Sequence, residues 1–150
     1  MRIVIQRVTH ASVTINGCCK SAIKEGFMIL VGIEPTDTEE DADWLCTKVI
    51  NLRVFDDENG VMNKSILDIQ GDILVISQFT LHASYKKGNR PSYIHAAKPD
   101  IAIPLYEYFH KALSQELGHA VGTGEFGADM KVELLNNGPV TICMDSKNKE

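Results

Sequence analysis

Gly26-Phe27-Met28-Ile29-Leu30-Val31-Gly32-Ile33 runs for eight positions without a charged or polar side chain. A half-buried strand would alternate apolar and polar residues, so this run reads as a strand covered on both faces. Such a strand needs structure packed on each side of it. Upstream, residues 2–11 read as a strand. Residues 12–15 and 18–23 flank Asn16-Gly17, a strong hairpin signal. Downstream, Thr38 is placed to cap a helix, with Glu39, Glu40 and Asp41 complementing the helix dipole in its first turn. Ala42, Leu45, Cys46 and Val49 then recur at helical spacing, which carries that helix to Asn51.

Farther along, residues 52–55 form a short expected strand closed by a turn over 56–60, and residues 72–79 a second buried strand. A second helix presents Leu105, Tyr108, Phe109, Ala112, Leu113 and Leu117, starts close to Pro104 and stops at Gly118. Residues 119–121, 130–135 and 140–145 read as strands, and the polar residues 146–150 as a frayed end. Two helices cannot cover both faces of a large sheet. The expected fold is therefore α/β of the α+β kind, in three layers. Mainly antiparallel or mixed sheets pack face to face, and both helices lie on one outer side. With 150 residues and no repeat or linker, residues 1–150 make one domain.

Composition narrows the function classes. The longest apolar run is too short to span a bilayer, and the first residues lack a secretory signal, so a cytoplasmic protein with no membrane partner is expected. Cys18, Cys19, Cys46 and Cys143 form no Cys-x-x-Cys pair, and the five histidines show no ligand spacing, so neither a metal nor another cofactor is expected. The net charge of −5 argues against a general nucleic-acid coat and against DNA. Base is nonetheless concentrated in Lys86, Lys87, Arg90 and Lys98, with Tyr85 and Tyr93 among them. Cations interleaved with aromatic rings suit an RNA end with stackable bases, although a solvated loop has the same composition.

Two short stretches carry the candidate chemistry: Ser77-Gln78-Phe79-Thr80-Leu81 and Asn137-Gly138-Pro139-Val140-Thr141. Each borders an apolar strand, where polar groups can be held rigidly. Proline within a strand pattern is unusual because it cannot donate to a ladder. Gly-Pro is also a step at which the cis isomer lies only roughly 0.5–1 kcal/mol above trans. A hydroxyl nucleophile needs a base within reach, and neither a Gly-x-Ser-x-Gly elbow nor a well-placed partner for Thr80 is evident. Taken alone, Ser77 and Thr80 read as hydroxyls bonded to backbone at the end of a strand rather than as nucleophiles.

The sequence resembles the D-aminoacyl-tRNA deacylases of the bacterial and eukaryotic type, also called D-tyrosyl-tRNA deacylases. The likeness runs in order through Ile5-Gln6-Arg7-Val8, Ala11-Ser12-Val13, Asp41-Ala42-Asp43-Trp44-Leu45 and Ser77-Gln78-Phe79-Thr80-Leu81. It continues through Lys87-Gly88-Asn89-Arg90-Pro91-Ser92 and Phe126-Gly127-Ala128-Asp129-Met130, and closes with Leu135-Asn136-Asn137-Gly138-Pro139-Val140-Thr141. Around them, His82-Ala83-Ser84-Tyr85 and Lys86-Lys87 depart from the usual family pattern, and Asn137 stands where Asp is common. These departures bear on contacts with the body of tRNA more than on the reaction.

The resemblance implies that family's fold and a homodimeric hydrolase of carboxylic esters that cuts D-amino acids from the 3′ end of tRNA. It implies a cis Gly138-Pro139 step reaching from one subunit into its partner's pocket, beside Ser77, Gln78, Phe79 and Thr80. Phe126 and Met130 match residues near that pocket, and a core role fits them as well. Such a wall would exclude L-substrates by crowding their Cβ, and glycyl-tRNA, lacking a Cβ, would pass. An alternative is a tRNA-end-binding domain without turnover, and another a purely structural dimer module.

Overall fold

The computed structural model describes residues 1–150. Its ordered elements are the strands β1 (Arg2–Ile15), β2 (Cys18–Ile23) and β3 (Gly26–Gly32), helix α1 (Glu39–Asn51), strands β4 (Phe55–Asp56), β5 (Met62–Lys64) and β6 (Asp72–Ser77), a 3-10 turn (Phe79–His82), helix α2 (Pro99–Leu117), and strands β7 (Gly122–Thr123) and β8 (Met130–Asp145). β3 is the strand that the apolar run foretold. It lies between β1, antiparallel, and β6, parallel, and Phe27, Ile29 and Val31 are buried on one face while Met28 is buried on the other.

The face carrying Phe27, Ile29 and Val31 meets both helices. Ile3, Ile5, Ile73 and Val75 join it against Leu45, Val49, Tyr106, Phe109 and Leu113 in the main core. The opposite face meets a second, smaller core of Met28, Leu74 and Ile76 with Val8, Ala11, Val13 and Ile23. Both layers beneath the helices belong to one hydrogen-bonded sheet. β1 pairs with β3 through Val8, then with β2 from Ala11, and β8 follows it along the other side. The ladder to β8 is irregular between Gln6 and Ala11, and bulges of this kind bend a strand and sharpen its twist. There the buried set switches from the odd-numbered Ile3 and Ile5 to Val8, and then to Ala11 and Val13. The sheet folds over itself at that bend. The α/β/β layering is as expected, with a mixed sheet in two leaves.

One glycine is essential to this pairing. A Cβ on Gly26 would sit 1.8 Å from the Asp72 carbonyl oxygen, where β3 and β6 begin side by side.

Several boundaries differ from the sequence reading. Residues 52–54 are not strand; only Phe55 and Asp56 pair, with β5 across the turn. β6 ends at Ser77, so Phe79 and Thr80 lie on a 3-10 turn and not on the strand. Helix α2 begins at Pro99, and Pro104 sits inside it. It does so on the exposed side, where the missing N–H forfeits one bond in the second turn. Tyr106, not Tyr108, is the tyrosine that α2 buries. Residues 119–121 are irregular, and the strand there is Gly122–Thr123. The two C-terminal strands are a single strand, β8, that passes straight through Gly138-Pro139. The end is docked as well: the Ser146 N–H donates to the Met1 carbonyl at 2.9 Å, and Lys147 reaches Asp41 at 2.7 Å. No helix is long and apolar enough to cross a membrane.

Candidate active site

Where β6 ends, the chain turns sharply. Ser77 is half-buried and pairs with Val31 in the parallel ladder, and the Gln78 N–H donates to the Val31 carbonyl at 2.7 Å. The following turn comes close against β3. A Cβ on Gly32 would lie 2.9 Å from the His82 ring and 3.0 Å from the Gln78 carbonyl oxygen. Within the turn, the Leu81 and Ala83 N–H groups donate back to Gln78 and Thr80. The N–H groups of Phe79 and Thr80 have no partner in the chain. The first donors of a helical turn point outward, and here two adjacent ones are free.

Side chains complete the turn. The Gln78 amide donates to Thr80 Oγ1 at 2.5 Å, so that oxygen is an acceptor and its own proton is directed elsewhere. No carboxylate or imidazole contacts the hydroxyl. His82 points inward, is buried, and stands 4.0 Å from Glu34. Phe79 is 54 % exposed and meets Tyr93 edge-on at 5.0 Å between ring centroids. No group of three metal-ligating side chains gathers here or elsewhere in the chain. What the arrangement offers is a pair of backbone donors, a hydroxyl and an amide at the lip of an aromatic step. It can bind a developing oxyanion and orient a polar reactant.

Gly138-Pro139 is the second half of the candidate chemistry. The peptide bond is cis, both residues are exposed, and Gly138 has φ of +123°. Arg7 fixes the approach to it. This nearly buried guanidinium donates to the carbonyls of Asn137 at 3.1 Å and Val54 at 2.6 Å, and pairs with Asp56 at 3.2 Å. A Cβ on Gly138 would stand 2.8 Å from Arg7 Nη2. Arg7 received no role from the sequence beyond its place in a matching stretch. The signal was available, because alternation puts it on the same face as the buried Ile3 and Ile5.

Within one chain the two halves do not meet. Gly138-Pro139 lies at the level of Arg7, hence of Phe27, whereas Ser77 lies at the level of Val31 and two strands beyond β1. Four residues along β3 and three strand spacings across the sheet separate them by about 20 Å. Phe126 packs beside Tyr106 in the main core, and Met130 packs against the second core. Phe126 follows β7, which runs parallel to β6, so it leaves the sheet on the same side as Gln78. Tyr106 holds that region by donating to the Val75 carbonyl at 2.9 Å, and burial pushes its hydroxyl up to about 12. Lys86, Lys87 and Arg90 are exposed on a loop closed by paired Ser84 and Ser92, and Lys98, also exposed, immediately precedes the first residue of α2.

Comparison with known proteins places this geometry. The family model described as D-Tyr-tRNA(Tyr) deacylase matches residues 4–145. The chain belongs to that family. A D-aminoacyl-tRNA deacylase of Phocaeicola vulgatus is 82% identical across the whole of both chains, and one of Parabacteroides distasonis 64% identical across the whole of both. Among solved structures, one named c-Myc DNA Unwinding Element Binding Protein is 42% identical with a TM-score of 0.89, covering 97% of this chain and 98% of its own. A probable eukaryotic D-amino acid tRNA deacylase shares the fold at 16% identity and a TM-score of 0.82, over 95% of this chain and 97% of its own. In this family member the matching Ser77–Thr80 and Asn137–Thr141 stretches are therefore the turn with free amides and the Arg7-tethered tip.

Proposed function

We propose that the protein hydrolyses the ester of D-aminoacyl-tRNA, releasing free tRNA and the D-amino acid, and that it works as a homodimer in the cytoplasm. The observation that carries the reaction is the run of relatives, up to 82% identical from end to end, that bear the name D-aminoacyl-tRNA deacylase. The observation that supports the dimer is the separation of about 20 Å between the two halves of the site in one chain. Only a second copy can bring its Gly138-Pro139 to Thr80. The part of the sheet face opposite the helices that the second core leaves uncovered suits that contact: half-buried Val4 and Gln6 of β1 and exposed Thr141 and Cys143 of β8 lie side by side on it, next to Leu30 of β3.

In this reading, the carbonyls of the partner's Gly138 and Pro139 accept bonds from the substrate ammonium and crowd the Cβ of an L-residue. A D-residue points its side chain outward, so many side chains pass. Main-chain atoms suit the task because no rotamer change relieves the clash, and rejection of the abundant L-competitor is built in. Glycine has no Cβ, so glycyl-tRNA is also cleaved. The free N–H groups of Phe79 and Thr80, with the Gln78 amide nearby, stabilise the oxyanion that forms on the ester carbonyl. Water attacks, oriented by the 2′-hydroxyl of the terminal ribose, and the 3′-oxygen leaves with a proton. Phe79, Phe126 and Met130 border the terminal nucleoside and amino acid.

Lys86, Lys87, Arg90 and Lys98 meet phosphates of the acceptor strand. With a net charge of −5, a local cluster of cations with no acidic residue between Lys86 and Lys98 suits one RNA end better than a DNA duplex. Incubation with D-tyrosyl-tRNA and with glycyl-tRNA tests the reading. Both esters are expected to be lost at catalytic enzyme levels. Salt-sensitive binding of the tRNA with both esters intact would instead identify a tRNA-end-binding domain without turnover.

A further inference from the structure

The turn that carries the free amides is tied to the sheet at both ends. At its start the Gln78 N–H donates to Val31. At its end the Leu81 carbonyl receives no backbone N–H, since the Ser84 N–H is turned toward Ser92. That carbonyl accepts instead from Arg2 Nη1 at 2.8 Å. The guanidinium is itself fixed from the other side: Nη2 and Nε both donate to Asp145 Oδ2, at 2.9 and 3.1 Å. Arg2 stands opposite Gly32 in the ladder, and the turn packs closely against that glycine. A planar fork with several donors can serve a carbonyl and a carboxylate together, whereas an ammonium on a flexible stem cannot hold both in one geometry.

We propose that Arg2, held in place by Asp145, is a positioning residue for the reaction. It fixes the end of the Gln78–His82 turn, and through it the direction in which the Phe79 and Thr80 N–H groups point. The proposal rests on reading those amides as the oxyanion donors. Arg2 and Asp145 act through the turn, by the bonds to the Leu81 carbonyl and between each other. Asp145 is suited to be the anchor: burial would raise its carboxyl, but bonds from the Lys147 amide, Arg2 and Asn148 outweigh that and bring it down to about 2. The carboxylate therefore stays charged at neutral pH. Without Arg2 the turn hangs on the Gln78 bond and packing alone, and a misplacement on the order of 1 Å at a reacting centre can lower a rate by about 100-fold.

The test compares Arg2→Met, Arg2→Lys, Asp145→Asn and the double variant Arg2→Met/Asp145→Asn. Single-turnover cleavage of D-tyrosyl-tRNA and amide hydrogen exchange are measured on each. Arg2→Met is expected to lower the saturated rate by roughly 10- to 100-fold while half-saturation moves by less than about two-fold. Arg2→Lys recovers part of the rate, and the double variant is no slower than Arg2→Met, because Asp145 acts through Arg2. The Leu81 and Ala83 amides exchange faster while the Ile76 amide in β6 is unchanged. An unaltered saturated rate in folded Arg2→Met would overturn the proposal, as would a loss confined to half-saturation or an equal acceleration of exchange at Ile76. Should Arg2→Met not fold, Arg2→Lys and Asp145→Asn carry the same comparison. If the unaltered protein cleaves no D-tyrosyl-tRNA, the functional reading fails, and the proposal of a positioning role falls with it. An active unaltered protein with a fully active Arg2→Met refutes the positioning role alone.

Discussion

At Thr80 the hydroxyl oxygen accepts a bond from Gln78 and meets no base, so it is poorly placed to lose its proton and attack. Replacing Thr80 with Ala should therefore leave measurable hydrolysis, within about 10-fold of the unaltered rate, a loss in line with one orienting group. A substrate ending in 2′-deoxyadenosine should be cleaved at least about 100-fold more slowly, the scale expected when an essential acid–base or orienting group is removed. Measured together, the reverse order would make Thr80 the nucleophile. Arg7 acts differently, through the tip that it tethers. It is nearly buried and serves two carbonyls and a carboxylate, so Arg7→Met leaves them without a partner. Thermal unfolding should show a loss of about 3 kcal/mol, the range for breaking a buried charged group from its partners.

Strand β8 is one uninterrupted element with two duties, carrying Gly138-Pro139 in its middle and Asp145 at its end. Acid should loosen that end first. Asp145 titrates at about 2, below its ordinary value of 3.8, so it adds stability that is complete above pH 4 and is lost as pH falls toward 2. Exchange at the Lys147 amide, which donates to Asp145, should accelerate across that window before the β3 amides respond. A Lys147 amide insensitive to pH between 4 and 2 would contradict the assignment. The elements themselves were largely legible. β3 followed from its unbroken apolar run, and α1 from Thr38 and its acidic first turn, where the Thr38 N–H does reach Asp41 at 2.9 Å. What the sequence did not show was set by distant contacts. The long β8 exists because β1 accompanies it past Gly138-Pro139, and β6 stops at Ser77 because Gly32 admits the turn there.

For the whole molecule, the proposed dimer draws each site's turn from one copy and its tip from another. Two variants, one defective in the Gln78–Thr80 turn and one in Gly138, should each be inactive. After unfolding and refolding them as an equal mixture, half the dimers are mixed and each has one intact site, so activity returns to about a quarter of normal. No recovery would mean that each chain completes its own site. The candidate residues were legible as two separated stretches, but their pairing came only from the family resemblance, because periodicity carries no register between strands and none between copies. Arg2 was equally hidden: at the edge of an exposed-looking start, nothing local says that its guanidinium caps a turn some eighty residues away. The proposed wall acts on the handedness of the substrate. The direct measurement is the rate at which the purified protein deacylates D-tyrosyl-tRNA and L-tyrosyl-tRNA, matched in tRNA and concentration. Rapid loss of the D-ester with the L-ester persisting as in buffer is the predicted result, and comparable loss of both, or preference for the L-ester, would contradict it.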